Sequence, residues 1–292
     1  MGRGHARAGS ARLRGEQLAA FCAQAMEGSG HAVRLACHDD PVADALVIVQ
    51  KTVLLPPYRE ALPRLRAAGC RLVLDFLDTA VRAPLAKHGD GFLACSRPQF
   101  DLLRGEWPGR PVVELPHHAD VDVPASDGTW DRWRCAYFGD PRNAARLAGL
   151  ARAGLVEPWA TPIRNENGWR EAMATYNVHY AVRRMGLPQE RFKPFTKGML
   201  AARVGAVAVV SRLDAEAMRL LGEDYPFAVT PGRGLPAVLR FLEEMREGFG
   251  DARWQLARAR MAPLREMGSA AHQVALLRQA LLGDGPLAPL LR

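Results

Sequence analysis

The sequence predicts an α/β protein of two domains, each a doubly wound parallel sheet with helices on both faces. Three observations predict it. Short β-branched and apolar runs alternate with helical stretches in both halves of the chain, the pattern of repeated strand–helix–strand units. The segment Val121–Trp133, rich in Asp, Pro, Ser and Gly and without apolar periodicity, interrupts that alternation and reads as a linker. Finally, 292 residues of which 48% are apolar suffice for two cores of ordinary size. The layout is therefore a first domain over 1–120, a linker over 121–133, and a second domain over 134–292 with a helical tail.

The elements follow in order. Val33–Cys37 and Ala45–Val49 read as buried strands. Pro57–Ala68 reads as a helix opened by a proline in its first turn. Arg71–Phe76 is the next strand, Thr79–His88 a helix, and Gly91–Cys95 a strand followed by Ser96 as N-cap of a helix reaching Gly105. Val112–Leu115 ends the first half. The second half restarts with strand Cys135–Phe138, helix Asn143–Ala153, a weak strand near Leu155–Trp159 and strand Tyr176–Tyr180. Helix Pro194–Val204, strand Ala206–Val210, helix Asp214–Leu221, strand Tyr225–Val229 and helix Leu235–Glu247 follow. Asp251–Met267 and Ala270–Leu282 form the tail, one of them positioned to pack back on the first domain. One feature departs from the doubly wound pattern, which opens with a strand, a glycine-rich turn and a helix. Here Gly9-Ser-Ala-Arg-Leu-Arg-Gly15 stands before helix Glu16–Met26 as the turn without its strand.

Composition narrows the partners. The net charge is +8, yet residues 1–131 hold 15 Lys+Arg against 16 Asp+Glu and residues 132–292 hold 24 against 15. The cationic excess thus lies in the second half, which is expected to handle an anion. Nucleic acid is disfavoured, because the arginines are scattered, with no basic run of five and no basic–aromatic alternation. No apolar run reaches the roughly 20 residues of a spanning helix. The first residues lack a signal-type stretch, and the five cysteines are widely spaced with no CxxC. These point to a cytoplasmic protein with reduced thiols, with peripheral contact at the anionic inner face of a membrane as an additional property.

Only four lysines occur among 39 cations, and two of them, Lys193 and Lys197, stand four residues apart around Pro194. A helix starting at Pro194 offers free N–H groups and a positive dipole end, Thr196 adds a hydroxyl, and i,i+4 spacing places both ammonium groups near one face. A diphosphate is held by such a set; an ordinary helix start with solvated lysines is the bland reading. Upstream, His179 ends a strand and Arg183 and Arg184 follow it, placing a possible phosphate clamp at the carboxyl edge where open α/β sheets bind ligands. Gly139 after strand Cys135–Phe138 allows close backbone approach, and Asn143 suits a helix cap. In the first half Asp75 and Asp78 stand at a strand's carboxyl end, as a general base or as structural carboxylates, and Lys51 ends another strand. Adjacent His117 and His118 point to opposite sides of an extended chain, and no HxxxH or HExxH completes a metal site.

Taken in order, these segments resemble a glycosyltransferase of the two-domain GT-B fold over roughly residues 8–285. Gly9–Gly15 is similar to the glycine-rich loop of that family's acceptor domain, which would place Ser10, Arg12, Arg14 and Lys51 on the acceptor side. Leu72-Val-Leu-Asp-Phe-Leu-Asp78, Phe92-Leu-Ala-Cys-Ser96 and Val113-Glu-Leu-Pro-His-His-Ala-Asp120 resemble its strand ends and linker entry. Lys193-Pro-Phe-Thr-Lys197 with Ala201–Ser211 resembles its donor site, and Thr230-Pro-Gly-Arg-Gly234 resembles a further donor-side turn. The resemblance implies two Rossmann-like domains with parallel sheets facing across a cleft, the first strand of the N-terminal domain missing. It also implies a nucleotide-diphosphate sugar as co-substrate, an acceptor hydroxyl or amine (glycan, lipid-linked or small molecule), and no separate cofactor or metal. Departures are the paired glutamates of the widest retaining motif, replaced by Phe192 and Leu200, and an early histidine replaced by Gln50-Lys51. The expectation is metal-independent sugar transfer with Asp78 or Asp75 as base and Lys193, Thr196, Lys197, Arg183, Arg184, His179, Gly139 and Asn143 around the diphosphate. A catalytically inactive scaffold of the same fold and a basic nucleic-acid binder are the alternatives.

Overall fold

The computed structural model describes residues 9–162, 165–184, 188–230 and 234–291. These form two compact units. The first comprises residues Met1–His117, Phe192–Pro194 and Ala270–Arg292; the second comprises His118–Arg191 and Phe195–Ser269.

In the first unit the chain opens with helix α1 (Gly9–Ala11), passes through a π-helical turn (Arg12–Gln17) and continues as α2 (Leu18–Ala25). The segment expected to be a glycine-rich loop is thus helical. Of the five residues between its two glycines, all but Ser10 are Ala, Leu or Arg, which are strong helix formers. Strand β1 (Leu46–Gln50) follows, then a short turn of 3-10 helix and α3 (Ala61–Ala67), β2 (Arg71–Asp75), α4 (Ala83–Ala86), β3 (Gly91–Ala94), α5 (Arg97–Glu106) and β4 (Val112–Glu114). The four strands are parallel in the order β1-β2-β3-β4, with Leu46 beside Arg71 and Val73 beside Gly91. All four residues of β3 and all but Arg71 of β2 are buried, as a parallel sheet covered on both faces requires. Their core joins Leu62, Leu65, Leu72, Leu74, Phe92 and Leu103.

Three expectations fail here for local reasons. Val33–Cys37 forms no strand among the described residues, and Val33 and Leu35 are exposed there. Helix Thr79–His88 shrinks to α4, because the Thr79 hydroxyl and amide both bond the Phe76 carbonyl and hold a turn. Ser96 precedes α5, but its hydroxyl donates to the Phe192 carbonyl (2.9 Å) rather than capping the helix.

The second unit contains β5 (Cys135–Phe138), α6 (Leu147–Arg152), β6 (Glu157–Trp159), α7 (Trp169–Met173), β7 (Val178–Tyr180), α8 (Thr196–Arg203), β8 (Val207–Ser211), α9 (Ala215–Leu221), β9 (Ala228–Val229), α10 (Gly234–Glu247) and α11 (Ala252–Met267). Its five parallel strands run in the order β6-β5-β7-β8-β9. The last helix, α12 (Ala270–Leu281), belongs to the first unit, where Gln273 and Leu277 are fully buried. Helix α6 begins four residues later than expected, because Asp140 caps a 3-10 turn at Pro141–Asn143 and Arg146 takes a left-handed φ of 58°. Among the described residues no helix is long and apolar enough to cross a membrane.

Candidate functional site

In the second unit, polar groups gather at the carboxyl ends of β5 and β7 and the amino end of α8. Lys197, second residue of α8, turns its ammonium back to donate to the Phe138 carbonyl and lies 4.2 Å from the centre of the Tyr137 ring. Gly139 takes φ 146°, and a Cβ there would stand 2.7 Å from the lysine Nζ and 3.0 Å from the Tyr137 hydroxyl oxygen. The glycine is therefore what admits the lysine. By exposed area Lys197 is half-buried, but protein surrounds its ammonium. That desolvation, with the nearby Arg183 guanidinium adding repulsion, pushes the ammonium pKa down to about 7. The Tyr137 hydroxyl donates to the Asp140 carbonyl (2.8 Å), and burial, followed by the Asp140 charge, pushes it up to about 12.

Arg183 forms a 2.7 Å ion pair with Asp214, which also caps α9 by accepting from the Ala217 amide. Arg184 donates from Nε to the Ala144 carbonyl (3.1 Å), and its amide bonds the Asn143 carbonyl. Asn143 thus contributes backbone to this turn and caps no helix. His179 is buried against Phe138, with its Nε2 proton directed to the Met173 carbonyl (3.2 Å). Burial above all, with the Lys197 charge assisting, lowers its pKa to about 4, so it is neutral at pH 7 and offers no cation to a phosphate. Thr196 is the first residue of α8, half-buried.

Lys193 departs from expectation. The helix begins at Thr196, so Lys193 lies outside it and shares no helix face with Lys197. Its segment, Phe192–Pro194, groups with the first unit, where the Ser96 hydroxyl holds the Phe192 carbonyl. There Lys193 contributes positive charge at Asp78.

Asp78 leaves the end of β2 through Leu77, whose φ is 51°. Gln99 holds this turn, its Nε2 donating to the Leu77 carbonyl while its Oε1 accepts from the Cys95 amide (2.9 Å). Asp78 pairs with Lys51 at 2.6 Å. Burial raises its pKa, but the Lys51 charge and hydrogen bond, with Lys193, outweigh that and hold it below the usual carboxylate range. Asp75 is a structural carboxylate rather than a base: it is fully buried and accepts from Arg14 Nε at 2.8 Å. Arg14 also donates to the Leu115 carbonyl (3.0 Å) and is equally buried, so it is no acceptor-side contact. Arg12 pairs with Glu16 at 3.2 Å, and Ser10 lies within α1. Gly232 and its neighbours in the Thr230–Gly234 turn lie outside the described residues. Sequence reasoning missed Tyr137, Gln99 and the partnership of Asp214 with Arg183. Of these only Asp214 carried a signal, as an N-cap residue ahead of a helical run.

Gly139→Ala is expected to cost about 1–3 kcal/mol in urea denaturation, from the left-handed φ and the displaced lysine.

No protein-family model matches the chain, and no curated protein matches it. Solved structures do. The pneumococcal O-GlcNAc transferase GtfA, in complex with UDP and GlcNAc, superposes with a TM-score of 0.53 at 10% identity, over 79% of this chain and 55% of its own. The GtfA/B complex gives 0.51 at 12%, over 81% and 56%. An α,α-trehalose-phosphate synthase (UDP-forming) from Burkholderia vietnamiensis gives 0.52 at 12%, over 94% and 78%. This chain spans little more than half the length of the first two. The likeness is one of fold, and the fold is that of the GT-B glycosyltransferases.

Proposed function

We propose that the protein transfers a sugar from a nucleoside-diphosphate sugar to an acceptor hydroxyl or amine, without a metal ion. The observation that carries this reading is Lys197, a cation packed beside Gly139 at the amino end of α8 and the carboxyl ends of β5 and β7. A departing diphosphate gathers negative charge, and an oriented ammonium with free helix N–H groups stabilises that charge by about 3 kcal/mol per well-placed donor. The UDP bound in the GtfA structure is consistent with such a donor. Arg183 and Thr196 complete the set on this reading, and the membrane contact and cytoplasmic location expected from composition remain part of it.

A second reading, a binding protein of the same fold that performs no transfer, is favoured by one observation. Asp78 is engaged by Lys51 and held anionic at a pKa below that of a useful neutral-pH base. A thermal-shift screen with UDP, GDP, CDP, TDP and ADP, followed by transfer assays with and without EDTA, decides between them. A bound diphosphate at 100 times its Kd should add about 2.7 kcal/mol of stability. Turnover that survives EDTA supports metal-free transfer; binding without turnover of any donor supports the second reading; and no stabilisation by any diphosphate defeats both.

A further inference from the structure

In the first unit, the turn from β3 into α5 is a hub of buried polar groups. Ser96 and Gln99 are both fully buried. Gln99 donates to the Leu77 carbonyl and accepts from the Cys95 amide. The Ser96 hydroxyl (2.9 Å) and the Cys95 thiol (3.5 Å) both donate to the Phe192 carbonyl. One hub thus fixes two remote segments, and each delivers a charge: Leu77 precedes Asp78, and Phe192 precedes Lys193. Leu77 is a bulky, buried residue at φ 51°, a costly backbone conformation of the kind that collects at functional sites. The product is a charged triplet at the carboxyl edge of the sheet. Lys51 follows β1 and meets Asp78 at 2.6 Å, with 21% and 34% of their side chains exposed. Lys193 is half-buried and adds its charge at the same carboxylate. Two ammonium groups against one carboxylate leave a positive excess where open α/β sheets take their ligands.

We propose that the Lys51–Asp78–Lys193 triplet binds the phosphate of a phosphorylated acceptor, with Ser96 and Gln99 as the positioning residues that hold it in shape. The choice of cation selects the ligand. Two of the four lysines among the chain's 39 cations stand here. A planar carboxylate is matched by the arginine fork, whereas lysine serves a tetrahedral phosphate as a point charge. Asp78 then has a task other than that of a base: its carboxylate holds two like charges at one edge against their mutual repulsion. Lys193 consequently works with Lys51, on the side of the molecule opposite in role to the diphosphate cradle of Lys197. That the phosphate belongs to an acceptor rests on the transfer reading above; that this edge takes phosphate does not.

The scarcity of lysine makes the test direct. Labelling with 13Cε-lysine gives four signals, assigned by single substitutions and followed by NMR during titration with inorganic phosphate and, separately, with UDP. Phosphate is expected to move the Lys51 and Lys193 signals saturably, in the parent and in Lys197→Met, while Lys87 stays still. Lys193→Ala should weaken the response at Lys51 by about 10-fold. Ser96→Ala, which releases the Phe192 carbonyl, should do the same without disturbing the Lys197 signal, which a general loosening of the fold would move. Sedimentation with phosphatidic acid vesicles separates the sources. Vesicle binding lost in Lys193→Ala puts the phosphate on a lipid, and no vesicle binding puts it on a soluble acceptor. Lys51 and Lys193 signals that ignore phosphate overturn the proposal, as does unaltered phosphate affinity in Lys193→Ala. So does movement of both signals in step with Lys197 as UDP is added, which would make the triplet part of the donor site. A Lys197 signal that ignores UDP defeats the transfer reading instead and leaves the phosphate site standing.

Discussion

Lys197→Met is expected to reduce nucleoside-diphosphate affinity by at least 100-fold while raising the melting temperature. The two effects share one cause. The ammonium is held among protein atoms that depress its pKa to about 7, so in the ligand-free protein its charge opposes folding. With the folded pKa below the unfolded one, the unfolded chain binds the extra proton between pH 7 and about 10.5. Stability therefore rises with pH across that window, and the full penalty is present below about pH 7. Allowing for water access to a half-buried residue, that penalty is about 2–3 kcal/mol. Methionine keeps the stem and removes the charge. The variant should melt a few degrees higher at pH 7, and the gap should close as pH approaches 10. A bound diphosphate restores the proton, so affinity in the unmodified protein should weaken as pH rises above 7, and methionine should flatten that dependence. Calorimetric titration with UDP at several pH values checks both. Unchanged affinity in the variant would remove Lys197 from the diphosphate site.

Asp75→Ala is expected to destabilise the first unit by about 3–5 kcal/mol, seen as a lower urea midpoint. Asp75 and Arg14 form an ion pair with both side chains inaccessible, and Arg14 ties the first helical segment to the ends of β2 and β4. Removing the carboxylate strands a guanidinium in a dry site, which costs far more than the pair itself contributes. The double substitution Arg14→Met with Asp75→Leu should therefore recover most of the loss. If Asp75→Ala instead proved as stable as the parent and lost only turnover, the carboxylate would be catalytic and the structural assignment wrong.

The strands of the fold were readable because β-branched and apolar runs have few alternatives once bounded by turns. The strands expected at Arg71–Phe76 and Ala206–Val210 form at Arg71–Asp75 and Val207–Ser211, within one residue at each end. Val33–Cys37 carries the same pattern and is no strand among the described residues, since a ladder depends on pairing across the sheet as well as on local pattern. Lys197 stood out because lysine is rare here. That its neighbour Lys193 belongs elsewhere was not legible, because spacing of four says nothing when the helix starts two residues after Pro194. Arg14 and Asp75 looked like ligands for a related reason: sequence shows that two residues are charged, and not that they neutralise each other across 61 positions.

The placement of α12 has a consequence for how the molecule is made. Leu277 and Leu281 complete the first unit's interior, and Arg278 reaches the Gln24 carbonyl across 254 positions of sequence. On the ribosome the amino-terminal half therefore waits, its apolar surface uncovered, until residues 270–281 emerge, while the second unit already has all its strands. Maturation is expected to run from back to front, and the nascent first half is the stage at which a chaperone would be needed.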